Sequence, residues 1–244
     1  MNPTSSPVYI WGMKDEKRRI SRTAGAFILL GMVVGIFSIV PAVESEQYLK
    51  ETANHAPQVT IGAIFQFLLV PIYVGFSLVL YPLLKQCNQR LSMGFVGFRF
   101  VAGAFQLIGV VLLPVFVLLS ENYSMSSPTE MAMYEQLGEV LKLLRDLTNH
   151  VGVMLATGLG NVFLYVILYK EKLIPRWLSI WGFIGNAAIM LGAFLVSSQV
   201  IDVVSPEYGA VSMPLILQEL VFAIWLIVKG FKPTIGRHYQ TKKL

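Results

Sequence analysis

Apolar residues in this chain are gathered into six long blocks, and polar connections separate them. Each block holds at least about 20 residues, the length an α-helix needs to cross the hydrocarbon core of a bilayer. The blocks, numbered here as spans one to six, cover roughly residues 23–43, 60–84, 92–119, 150–169, 177–200 and 208–228. This pattern predicts an all-α, polytopic integral membrane protein built as a bundle of six transmembrane helices.

Composition strengthens this interpretation. Of the 244 residues, 55% are hydrophobic and only 14% are charged, whereas soluble domains carry about 25% charged residues. The single cysteine, Cys87, excludes an intrachain disulfide. Span one could be a cleaved signal peptide, but it is longer than a typical h-region, so an uncut anchor is favoured. Its Gly31 and Gly35 have the GxxxG spacing that predicts close helix packing.

Lysine and arginine show a strong bias between the two sides of the predicted bundle. Fifteen of the nineteen lie in the N-terminal segment, the loops after spans two and four, and the C-terminal tail. The other three loops hold only Lys50, Lys142 and Arg145. Because cytoplasmic loops are enriched in Lys and Arg, both termini are predicted to be cytoplasmic. We call that side of the protein inner and the opposite side outer.

The same pattern divides the chain into three parts. Residues 1–22 form a cytoplasmic N-terminal segment, 23–228 the six-helix transmembrane domain, and 229–244 a basic cytoplasmic tail. The basic residues flank apolar blocks, so the predicted partners are the bilayer and, at the inner flanks, anionic lipid. A net charge of +5 is explained in this way without nucleic acid as a partner.

The longest connection, between spans three and four, predicts a helix of its own. Ser127-Pro128-Thr129-Glu130 fits a capping box with proline at the first helical position. Apolar residues then recur at helical spacing, which predicts an amphipathic outer helix over about 128–149 that can continue into span four. Two arrangements stay open: a helix resting on lipid headgroups and a lid over a cavity. Residues 44–59 predict a shorter outer helix.

Arg99 stands about 10 Å deep in span three, counting 1.5 Å per residue. A charge at the bilayer centre costs at least about 2.5–3.5 kcal/mol, so the side chain must snorkel towards the headgroups or find a partner in the bundle. Glu219 is the one carboxylate in any span and lies at nearly the same depth in span six. We therefore expect a salt bridge between Arg99 and Glu219.

Four amides accompany this pair at mid-membrane depth: Asn161 in span four, Asn186 in span five, Gln106 in span three and Gln218 in span six. Together the six residues make a predicted polar core that either binds substrate or holds the helices together. Interhelical hydrogen bonds worth about 1 kcal/mol each explain the amides equally well. For Arg99 and Glu219, a structural pair and a functional site stay open, since intramembrane ions often mark function.

Catalytic and cofactor signatures are missing from the sequence. It contains no HExxH, CxxC, GxSxG or P-loop motif. The three histidines are not grouped with carboxylates, and the inner side lacks an acidic cluster for Mg²⁺. We predict no catalytic residue, no metal site and no cofactor, and an enzyme is the least favoured class.

Two motifs resemble a bacterial membrane family known only as a domain of unknown function, DUF4386. They are GFRFVAGAFQ, which contains Phe98 and Arg99, and LYKEKLIPRWLSIWGFIGNAA, which contains the turn 173–176. The resemblance extends over about residues 19–228. It implies a six-helix integral membrane protein and supplies no reaction.

Two classes of function fit these patterns. The first is a transporter for a small solute or ion in the cell membrane, with a central polar site for a small anion or a proton-coupled solute. The second is a non-catalytic membrane sensor, scaffold or accessory subunit that contacts a partner protein. An aqueous cavity that reaches Glu219 favours the first, and a closed bundle favours the second.

Overall fold

The structure is a computed structural model that describes residues 7–202 and 205–232, with side chains from residue 15 onward. Of the described residues, 88% are helical and none forms a strand. The α-helices are α1 (Pro7–Phe37), α2 (Pro41–Glu44), α3 (Tyr48–Glu51), α4 (Ala56–Cys87), α5 (Gln89–Met125), α6 (Pro128–Leu147), α7 (Ala156–Lys170), α8 (Arg176–Ser197) and α9 (Pro206–Val228). Within the described part of the chain, six helical segments are long and apolar enough to cross a membrane. The protein is therefore a multi-pass membrane protein, as predicted.

Several boundaries differ from the sequence prediction. Span one was expected to reach residue 43, but α1 ends at Phe37 and a separate short helix begins at Pro41. Proline has no amide N–H and is favoured at the first helical position, so it starts a new helix instead of extending the old one. Residues 44–59 form no single outer helix, since α3 is followed by a 3₁₀ turn at Ala53–His55. The basic tail from residue 233 lies outside the described residues.

The six membrane-spanning segments form a closed ring in chain order. Helix α1 packs on α4, α4 on α5, α5 on α7, α7 on α8, α8 on α9, and α9 returns to α1. Short connections enforce this antiparallel order: only Asn88 separates α4 from α5, and its Oδ1 accepts a hydrogen bond from the Leu91 N–H at 3.0 Å. With six crossings, both ends of the ring lie on one side, while the assignment of that side to the cytoplasm stays a prediction.

The predicted outer helix is present as α6, and it does continue into span four. The Glu130 carboxylate accepts hydrogen bonds from the Ser127 N–H at 2.9 Å and the Ser127 hydroxyl at 2.7 Å. Between α6 and α7, residues Thr148–Leu155 are wound as a π-helix. Helix α6 packs on the outer part of α5, so it extends span four beyond the membrane-spanning part of the bundle.

Residues 41–55, which we call the outer cap, fasten α6 to the bundle. Arg145 of α6 forms an ion pair with Glu44, and the Lys142 ammonium lies 5.1 Å from the centre of the Tyr48 ring. The Ser120 hydroxyl of α5 donates to the Leu49 carbonyl at 2.7 Å. Apolar residues of the cap, α4 and α5 form a separate core at this end of the molecule.

The main apolar core fills the inner half of the ring. Its buried side chains come from α1, α4, α5, α7, α8 and α9, and they include Leu80, Phe95, Leu164, Leu168 and Leu226. The inner half is therefore a packed plug, and any space inside the ring must lie further out.

Candidate functional site

Arg99 is buried at mid-bundle, and its side chain points towards the centre of the ring of helices. Its side chain is 5% exposed, and its Nη2 donates a hydrogen bond to Asn161 Oδ1 at 2.6 Å. The rings of Tyr73, Phe76 and Phe95 surround it, with their centres 5.6–5.7 Å from Cζ. These distances are typical of cation–π contacts. The snorkelling alternative is thus not what the structure contains.

The expected salt bridge between Arg99 and Glu219 is not present. Both residues line the same cavity, but their charged atoms lie further apart than the 4.0 Å ion-pair limit. The two groups still interact electrostatically, because charge interactions extend beyond contact in a low-dielectric interior. Asn161, on the adjacent helix α7, provides the nearer acceptor.

A glycine explains why Asn161 reaches Arg99. A Cβ at Gly160 would lie 3.2 Å from Phe98 Cβ and 3.4 Å from the Phe95 carbonyl oxygen. A residue without a side chain allows this close approach of α7 to α5, and any Cβ here would require the neighbouring atoms to shift by a few tenths of an ångström. The residue that follows this contact is Asn161, so its amide is carried directly to the guanidinium.

The same Gly-Asn pair occurs on α8. A Cβ at Gly185 would lie 3.0 Å from Leu215 Cα, so α8 and α9 make a close backbone contact there. The next residue, Asn186, donates from Nδ2 to the Gly158 carbonyl at 3.0 Å, while its Oδ1 is buried without a partner among the described residues. The sequence carried this signal twice, as Gly160-Asn161 and Gly185-Asn186, and it was not read as a positioning device.

The two glutamines of the predicted polar core separate in space. Gln106 lines the central cavity on the outer side of Arg99. Gln218 is fully buried: it accepts from the Tyr165 hydroxyl at 2.8 Å and donates to the Leu178 carbonyl at 3.3 Å. It joins α7, α8 and α9 and is absent from the cavity wall, so its contacts are those of a helix-joining residue.

The central cavity occupies the outer half of the ring and has a volume of about 510 Å³. Five of the six predicted polar residues line it: Arg99, Asn161, Asn186, Gln106 and Glu219. On the inner side of Arg99 only a gap of about 20 Å³ remains, which is room for about one water molecule. The cavity thus ends at the layer of Arg99 and Asn161.

Several wall residues were missed from the sequence. Tyr73 contributes a ring to Arg99 and also lines the cavity. Tyr208 lines it from α9, with its hydroxyl unpartnered among the described residues, and its ring lies 5.6 Å from that of His150. Met154, in the π-helical segment, is a further wall residue. Such segments frequently mark functional sites, but the sequence 148–155 gives no warning of one.

Within the described residues, no three histidine, cysteine, aspartate or glutamate side chains come together as a possible metal site. The polar groups of the cavity wall are one guanidinium, one carboxylate, three amides and the hydroxyls of tyrosine, serine and threonine residues.

Comparison with known proteins identifies the family. A family model described as "Domain of unknown function (DUF4386)" matches residues 23–230, which covers all six membrane-spanning segments, and the chain belongs to this family. No curated protein and no solved structure matches the chain.

Proposed function

We propose that this member of the DUF4386 family is a transporter-like protein of the cell membrane, and that its solute binds in the central cavity beside Arg99 and Glu219. The observation that carries the proposal is the cavity itself. Its volume of about 510 Å³ lies within the range of about 300–1,000 Å³ that is usual for small-molecule sites. A guanidinium, a carboxylate and three amides line it.

The asymmetry of the ring supports the same proposal. The cavity lies in the outer half, and packed side chains close the inner half. A transporter that exposes its site to one side at a time requires this arrangement in one of its states. The layer of Arg99 and Asn161 would then be the inner boundary of the site and would have to open in a second state.

A labelling experiment tests this idea without knowledge of the solute. In a Cys87→Ser background, one cysteine is placed at Ser212 in the cavity wall, and in a second variant at Leu164 below Arg99. A membrane-impermeant maleimide is applied to sealed vesicles of each orientation. We expect Ser212→Cys to react from outside and Leu164→Cys to react, slowly, from inside.

The alternative, a sensor, scaffold or accessory subunit, predicts that Leu164→Cys never reacts from the inner side. If reaction is absent there in a folded protein, alternating access is refuted. A second test uses Arg99→Ala and Glu219→Gln in proteoliposomes. If neither change alters any solute flux or ligand-induced stabilisation, the polar core is not a solute site.

A further inference from the structure

Arg99 and Glu219 line the cavity together, and they form no ion pair with each other. Arg99 has five N–H donors; its Nη2 is paired with Asn161, and its Nε is buried without a partner among the described residues. Glu219 lines the same cavity, and its carboxylate oxygens lie more than 4.0 Å from the guanidinium nitrogens of Arg99. A ligand head with an anionic group and a cationic group could pair with both Arg99 and Glu219. A head with a single charge would pair with one of them and be repelled by the other.

Away from these groups the cavity wall is mostly apolar. Apolar residues from four different helices line it: Leu69, Val70, Ala102, Ile189 and Leu215. A volume of about 510 Å³ greatly exceeds what a bare polar head occupies. An apolar wall favours a ligand with hydrocarbon, because binding removes apolar surface of the ligand from water.

The ring has a seam where its first and last helices meet. At the inner end α1 and α9 are in close contact: a Cβ at Gly25 would lie 2.8 Å from the Ala223 carbonyl oxygen, and the Ser21 hydroxyl donates to the Leu226 carbonyl at 2.7 Å. The seam is closed there.

Further out, the two helices follow different neighbours. The outer end of α1 packs on α4, with Phe37 stacked on Phe65 at 5.3 Å. The outer end of α9 packs on α8, where a Cβ at Gly192 would lie 3.0 Å from Val211 Cγ1. The outer-half contacts described for α1 and α9 are thus with α4 and α8, whereas their contacts with each other described above lie at the inner end.

The seam opens the cavity to the side. Gly35 of α1 lines the cavity, and a Cβ built there meets nothing within 4 Å. The GxxxG prediction is therefore correct for Gly31, which packs on Tyr73, and wrong for Gly35. Ile39 and Ile216 line the cavity too, yet they are 63% and 45% exposed. Residues that are both cavity wall and exposed surface form its rim, and this rim lies in the outer half of the seam.

We propose that the cavity binds a zwitterionic amphiphile, which enters sideways from the outer leaflet through the seam between α1 and α9. The anionic group of its head would lie against Arg99 and its ammonium against Glu219, with the hydrocarbon along the apolar wall. This inference rests on the proposed function, because it names the ligand class of the same site.

Four probes separate the contributions of head and chain. They are 2-aminododecanoate, dodecanoate without the amine, dodecylamine without the carboxylate, and alanine without the chain. Saturable binding of each radiolabelled probe is measured with the protein in nanodiscs and corrected with empty nanodiscs. We expect 2-aminododecanoate to bind at least about ten-fold more tightly than any other probe, because each of the others lacks one charged group of the head or the hydrocarbon chain.

Variants test the residues and the route. Glu219→Gln should remove the preference for 2-aminododecanoate over dodecanoate, and Arg99→Gln the preference over dodecylamine. Gly35→Trp places a large side chain in the seam and should slow the rate of binding by about ten-fold or more. A ten-fold slowing corresponds to an activation barrier raised by about 1.4 kcal/mol. Gly97→Trp is the matched control, because Gly97 is exposed on α5, has open space around its Cβ and is not a wall residue.

The outcomes distinguish this inference from the proposed function. If alanine binds as tightly as 2-aminododecanoate and Arg99→Gln abolishes both, the solute is small and water-borne; the inference fails while the transporter proposal survives. If Gly35→Trp and Gly97→Trp bind at the same rate, the sideways route is wrong. If no probe binds saturably and Leu164→Cys never reacts from inside, both proposals fall.

Discussion

The two halves of this six-helix ring are built from the same helices but are filled in different ways. In the inner half large aliphatic and aromatic side chains from all six segments interlock. In the outer half the same segments surround a cavity, and the additional packing comes from the outer cap and α6. The boundary between the halves is the layer of Arg99 and Asn161.

The difference shows where a membrane bundle can accommodate a charge. Arg99 stands where a packed floor holds three aromatic rings around it and a neighbouring helix supplies an amide oxygen. A guanidinium in lipid would have none of these contacts. The guanidinium is thus stabilised by contacts with the inner half, and Arg99 also lines the cavity of the outer half. A binding site needs this arrangement.

The largest expected effect contrasts one leucine from each half. Leu168→Ala, in the inner core, should lower the free energy of unfolding by about 3 kcal/mol, because it leaves a closed void. Leu69→Ala enlarges an existing cavity and should cost about 1–2 kcal/mol, close to the transfer contribution alone. The measurement is reversible unfolding in mixed micelles titrated with SDS. Equal costs for the two variants would mean that the outer half is packed as tightly as the inner.

A smaller effect is expected at the glycine that positions Asn186. Gly185→Ala adds a Cβ 3.0 Å from Leu215 Cα and 3.1 Å from Leu215 N, and backbone atoms cannot move aside cheaply. We expect a destabilisation of about 1–3 kcal/mol by the same unfolding assay. The control Gly97→Ala meets open space and should be neutral or slightly stabilising, because alanine is the better helix former by up to about 1 kcal/mol. A neutral Gly185→Ala would show that α8 and α9 can separate without cost.

Much of the architecture could be predicted because membrane crossing imposes a length and a composition. The six spans, the capping box at Ser127 and the depth of Arg99 follow from counting residues along each helix. The partner of Arg99 could not be predicted in this way. Counting gives the height of Glu219 and Asn161 in the bundle, but which helix faces which depends on the order of the ring and on the close contact at Gly160.

The end of α1 and the π-helical segment were missed for a related reason. Pro41 was included in an apolar block because hydropathy does not register a missing N–H, although backbone chemistry does. The segment 148–155 has ordinary helical residues, and in the structure it packs on α5 together with α6 and α7. Hydropathy indicates whether a segment favours lipid or water. It does not indicate which neighbouring helix the segment packs against.

The smallest effect is expected at the fastening of the outer cap, which the cavity does not need for its floor. Glu44→Gln and Arg145→Gln each remove one charge of the pair between the cap and α6. Each should cost about 1–2 kcal/mol, because Arg145 is 4% exposed and Glu44 is partly open to solvent. A double-mutant cycle in the unfolding assay should give a coupling of at least about 0.5 kcal/mol. Arg99 and Asn161 lie at the inner end of the cavity and make no contact with the cap residues described above, so ligand affinity should stay unchanged in both variants. If affinity instead falls together with stability, the cap acts on the cavity floor, and the two halves are one cooperative unit rather than two.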